Sequence, residues 1–142
     1  MNAEYLSSIL QPGRAIPDSS MNPGEFDQLV EAAFRRIPAR FRKRMANVAL
    51  IVEPEPPPGR VGPGYTLFGL YEGRPLTHRS VFEPIAMPDR ITIFQGPHER
   101  LARSPEHLAS MVEDTVWHEV GHYFGMNEAQ VRAAQRRRRT NR

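Results

Sequence analysis

The sequence predicts an α+β domain on three observations. Apolar residues recur at helical spacing behind two cap-then-proline starts, Asn22-Pro23 and Ser104-Pro105. Three short runs rich in branched apolar residues are bounded by turn residues, as strands are. Between the first two of these runs lies PEPPPGRVGPG, which suits neither a helix nor a central strand. At 142 residues the chain has the size of one domain.

Taken in order, residues 1–21 mix Ser, Pro, Gly and Asn with scattered apolar residues and show no sustained period, so a flexible extension is expected there. A helix is expected from Asn22, because Asn22 offers a cap, Pro23 suits the first helical position and Glu25 is an acid three residues after the cap. Phe26, Leu29, Val30, Ala33 and Ile37 form its apolar face as far as Pro38, and a shorter helical piece runs from Phe41 to Met45. Strands are expected at 47–53, 66–71 and 91–94, with a short edge strand at Val81 and Phe82 that Pro75, Pro84 and Pro88 confine. The second proline-led helix carries Leu108, Met111, Val112, Thr115 and Glu119 along one face to about Phe124, where Gly125 stops it. A last helix over 128–135 leads into RRRRTNR, a like-charge run expected to stay solvated. The domain is therefore placed at 22–135, with a disordered basic tail at 136–142.

The formal charge of +3 belongs to that tail, since five arginines lie at 136–139 and 142; without them residues 1–135 carry −2. The body gives no basic surface for nucleic acid, and a terminal arginine run without interleaved aromatics is ordinarily a solvated tail. There is no cysteine, which excludes disulfides and thiolate metal sites and directs any metal hypothesis to His, Asp and Glu. No apolar run has the length of a membrane span, and MNAEYLSSILQPG has neither a basic n-region nor a sustained apolar h-region. The expectation is a cytoplasmic monomer that binds neither membrane nor nucleic acid.

The segment that carries chemistry is HEVGHYFGMNE, residues 118–128. Residues four apart on a helix point the same way, so the imidazoles of His118 and His122 can reach one ion, with Glu119 alongside. A catalytic zinc site of this kind takes three protein ligands and keeps a fourth position for water, from which Glu119 would take the proton. The five-residue match alone would arise in about one shuffled sequence in a hundred, whereas the added Gly125 and acid at 128 lower this to roughly one or two in ten thousand. Gly125 also has a mechanical reason: a left-handed exit from the helix lets the chain turn back and bring residue 128 toward the metal. No Asp, Glu or His follows 128 in this sequence, so Glu128 is the expected third ligand, the alternative being a residue upstream of the motif.

Tyr71, His78, Arg79 and Tyr123 are candidates to stabilise an oxyanion, although a Tyr or Arg at such places more often serves packing or solvation. His98 and His107 flank helix starts without partner spacing, so surface positions are expected for both.

The spacing H-E-x-x-H-x-x-G-x-x-E resembles the extended zincin motif, with Glu where metzincins carry His and with no methionine turn after it. The order of helix, NVALIVE, proline-rich loop, FGLYEG, MPDRITIFQGP and HEVGHYFGMNE is similar to the short bacterial zincin-like metallopeptidases, over about residues 22–135. That resemblance implies a minimal zincin-like domain, a small mixed sheet packed with helices, and a zinc metallopeptidase acting on peptides or proteins. It also implies that a substrate strand pairs with a sheet edge, expected near Arg79 to Glu83. The alternative is a non-catalytic metal-binding or protein-interaction module on the same fold, against which the retained Glu119 speaks.

Overall fold

Helix α1 (Pro23–Arg35) forms where Phe26, Val30 and Ala33 repeat at three and four residues, and these bury together with Ile37 just beyond its end. The computed structural model describes residues 3–10, 23–73 and 89–140, with 3–10, Pro23 and Arg139 described as backbone only. A single helical turn α2 (Ala39–Arg42) continues into a 3-10 turn over Lys43–Met45, which buries Met45 and leads into strand β2 (Val48–Glu53). After the proline-rich loop come β3 (Tyr65–Gly73) and β4 (Asp89–Phe94). Helix α3 (Gln95–Leu101) starts directly from β4, and α4 (Pro105–Tyr123) and α5 (Glu128–Thr140) complete the chain. The cap at Asn22 and the edge strand at Val81 and Phe82 lie outside the described residues.

The sheet is mixed, as the α+β reading requires. With β1 at Ala3–Leu10, the strand order is β1-β3-β4-β2; β2 runs parallel to β4, while β3 is antiparallel to both β4 and β1. One face of the sheet, through Tyr71, Ile91 and Ile93, packs on α1 and α4, whose Val112, Val116, Val120 and Tyr123 close the main core. Its other face carries Leu67, Leu70 and Phe94, covered by Val61 from the proline-rich loop. Burying side chains of this kind stabilises by roughly 1.5–3 kcal/mol each, which makes the layer of α1 and α4 on this one face of the sheet the principal source of stability.

Three expectations are corrected. Residues 3–10 are a strand and not part of a flexible extension: all eight pair antiparallel with β3, from Ala3 opposite Gly73 to Leu10 opposite Tyr65. An open β3 edge is a row of unpaired backbone donors and acceptors, and a segment of sufficient length satisfies it almost regardless of its hydrophobic pattern. The second correction is at the C-terminus, where α5 continues to Thr140 and does not stop at 135. Its arginines do not all repel into solvent, because Arg138 turns inward. It is 2.5 Å from Asp114, forms a second ion pair with Glu113, and lies 5.1 Å over the Trp117 ring. Glu113 is also bound by Arg36, just past the end of α1, at 2.8 Å. Third, His98 is fully buried rather than at the surface. It sits between the rings of Phe26 and Phe68, and its Nδ1–H donates to the Phe94 carbonyl at 2.6 Å. Its Nε2 meets the Thr115 hydroxyl at 2.8 Å, which gives both ring nitrogens a partner without exposure.

Candidate metal centre

Ser104 starts α4 in the expected way: its hydroxyl accepts from the His107 amide at 3.0 Å, and Pro105 occupies the first helical position. His107 belongs to this cap, its Nδ1 accepting from the Arg103 amide at 3.0 Å. Nineteen residues later the helix ends in a Schellman turn. The Gly125 amide donates to the His122 carbonyl at 2.9 Å and the Met126 amide to the Gly121 carbonyl at 3.0 Å, with Gly125 at φ +85°. A side chain at 125 would strain that left-handed conformation, so the glycine is what reverses the chain. Asn127 and Gln130 then cap α5 reciprocally, each side chain bonding the other's backbone amide at 2.8 to 2.9 Å, which fixes Glu128 as the first helical residue.

The outcome is a convergence of three side chains. His118 Nε2 lies 3.0 Å and His122 Nε2 2.9 Å from the same oxygen, Glu128 Oε1, and the three potential ligand atoms are all within 4.8 Å of one another. The tautomer of His122 follows from its other nitrogen. Nδ1 is 3.0 Å from the Met126 carbonyl, which can only accept, so Nδ1 carries a proton and Nε2 is the nitrogen that faces Glu128. A lone pair facing a carboxylate oxygen is repulsive unless a proton or a cation stands between them. Two imidazole nitrogens and one carboxylate oxygen are a donor set that zinc accepts, and three ligands leave a position for a reacting group. The residues present therefore fit a metal ion.

Electrostatics favour the same state. Burial lowers the pKa of His118, more than the neighbouring Glu128 carboxylate raises it, so its ring tends to the neutral, ligating form. For Glu128, burial works to raise the pKa, but His118 and then His122 outweigh it through charge and hydrogen bonds and the net shift is down. Its place at the start of α5 adds the favourable field of the helix dipole. By sequence Glu128 is also readable as the N-terminal acid of the last helix, and it occupies that position and the cluster at once.

Glu119 is fully buried beside this cluster. What sets its depth is Gly69 of β3, where a Cβ would come within 3.2 Å of Glu119 Cγ and 2.8 Å of Thr115 Cγ2. A second glycine, Gly121, does the same for α5, since a Cβ there would meet Val131 Cγ2 at 2.8 Å. Sequence reasoning missed both glycines, although an isolated glycine inside a strand pattern such as TLFGLYEG signals close approach of another element. Of the oxyanion candidates, Tyr71 donates to Asp89 Oδ2 at 2.6 Å in the interior and Tyr123 to the Arg44 carbonyl at 3.0 Å, so both hydroxyls brace the framework. His78 and Arg79 lie outside the described residues.

A small mixed sheet over a His-Glu-x-x-His helix, with a carboxylate delivered by the following turn, defines a zincin-like domain. The family model described as zincin-like metallopeptidase matches residues 45–138, and the chain belongs to that family. Among solved structures, a conserved hypothetical protein from Thermus thermophilus superposes with a TM-score of 0.52 at 24% identity, covering 73% of this chain and 94% of that one. That likeness concerns the fold alone. No curated protein matches the chain.

Proposed function

We propose that the protein is a zinc metallopeptidase in which His118, His122 and Glu128 hold the metal and Glu119 is the general base. The observation that carries this reading is the meeting of both Nε2 atoms at one Glu128 oxygen, with the His122 tautomer fixed by the Met126 carbonyl. Zinc held there would polarise a peptide carbonyl and lower the pKa of water toward neutrality. The chain's own residues supply the rest. Glu119, next to His118 on α4, accepts the proton of the attacking water and returns it to the departing amine. The Met126 carbonyl holds His122 in the ligating tautomer, and the Asn127–Gln130 cap holds Glu128 in place.

Glu119→Gln preserves shape and removes the basic oxygen. It should retain folding and zinc binding while hydrolysis of a mixed peptide library falls about a hundred- to ten-thousand-fold, the contribution typical of a positioned base. Cleavage by the wild type should also stop with a chelator and return with zinc. Unchanged turnover of Glu119→Gln would remove this residue from the mechanism.

A further inference from the structure

We propose that strand β1, residues 3–10, is an autoinhibitory strand that holds the β3 edge in place of a peptide substrate and must leave before one binds. This rests on the peptidase reading above. Four observations carry it. First, β3 has two edges; β4 takes one and β1 the other, along its whole length and antiparallel, so an incoming peptide finds no open β3 backbone. Second, β3 is the strand against which α4 packs most, and α4 also touches β1, so the β1 position is the sheet edge beside the helix that bears His118, Glu119 and His122. Third, the register places Ser7 opposite Gly69, the residue packed on Glu119, and the pairing is irregular at the next step, where Ser8 stands opposite Leu67. Fourth, Glu119 has no exposed surface, whereas a general base has to meet water and substrate; an element near it must withdraw.

Among the described elements around the site, β1 is the one whose removal leaves the fold's principal layers whole. It precedes the residues matched by the family model and is joined to the sheet at a single edge, whereas α1 supplies Phe26, Val30 and Ala33 to the main core. An eight-residue strand held by one edge is also the kind of unit that opens locally at less cost than global unfolding. Exchange of one backbone strand for another conserves the ladder hydrogen bonds, so a peptide of suitable sequence can replace β1 without a large change in hydrogen bonding. No covalent step is involved.

The test uses the full chain. Leu6→Pro, opposite Leu70, removes a backbone donor and disfavours the strand. Glu4→Cys with Glu72→Cys, directly opposite each other in the register, ties β1 to β3 by a disulfide in a chain that has no other cysteine. Hydrolysis of a mixed peptide library should rise at least tenfold in Leu6→Pro relative to wild type. It should fall at least tenfold in the oxidised double-cysteine chain relative to the same chain after reduction with a phosphine. Equal rates in the open and tied chains would overturn the autoinhibition and leave the peptidase standing. If no variant hydrolyses anything, the peptidase reading fails, and a fluorescent peptide AEYLSSIL decides the strand exchange on its own. Binding to Leu6→Pro at least tenfold tighter than to the oxidised chain supports it; equal binding overturns it.

Discussion

The three side chains at the centre owe their convergence to a backbone carbonyl, a glycine turn and a helix cap more than to their own chemistry. The His122 ring is held in place because the Met126 carbonyl accepts its Nδ1–H, and Met126 is there because Gly125 turned the chain. His98 shows the same dependence on surroundings with the opposite result. Burial drives its pKa down to about 4 from an ordinary 6.5, against the smaller upward effect of the Phe94 carbonyl, so it is neutral in the folded protein. The unfolded chain binds a proton at this residue below about pH 6.5 and the folded chain only below about 4. The stabilisation is therefore complete above pH 6.5 and is lost as pH falls from 6.5 toward 4. Between pH 7 and pH 5 this one group should lower stability by about 2 kcal/mol. Urea unfolding at the two pH values checks it, with His98→Gln expected to lose most of that difference; an undiminished slope in the variant would assign the effect to other groups.

At the level of elements, the site depends on how α5 is set against α4. Gly121 permits the close approach at Val131, and Arg138 fastens the far end of α5 to Glu113 and Asp114. Gly121→Ala should gain helix propensity in α4 yet push α5 outward. We expect zinc affinity to fall by at least about tenfold, as it does when groups that orient metal ligands are disturbed. Competition with a chromophoric chelator measures this, and an unchanged affinity would show that Glu128 is positioned by its cap alone. Arg138→Ala leaves two acidic groups without their partly buried partner and should cost about 1–3 kcal/mol in thermal or urea unfolding. A loss near zero would return residues 136–140 to the status of a solvated tail.

For the molecule as a whole, what was legible in the sequence is what local rules determine. The Ser104 cap, the 3.6-residue periods of α1 and α4, and the branched runs of β2, β3 and β4 all depend on near neighbours, and they lie within one or two residues of where they were expected. The glycine turn that carries Glu128 back to the histidines is equally local, because six residues separate His122 from Glu128. The missed parts depend on distant partners. Strand β1 exists through pairing with residues more than fifty positions away, and the burial of His98 requires Phe26, Phe68 and Thr115 from three other elements. Likewise, nothing adjacent to Arg138 reveals that it turns back on Glu113 and Asp114. No helix among the described residues is long and apolar enough to cross a membrane. The central claim is that His118, His122 and Glu128 form one metal site, and zinc binding by equilibrium dialysis on wild type and Glu128→Ala tests it most directly. We expect one zinc per wild-type chain and, since disturbing groups that only orient ligands already costs about tenfold to a hundredfold, an affinity at least about a hundredfold weaker in Glu128→Ala. A folded wild type that takes up no added zinc, or a Glu128→Ala chain that binds as tightly as wild type, would contradict it.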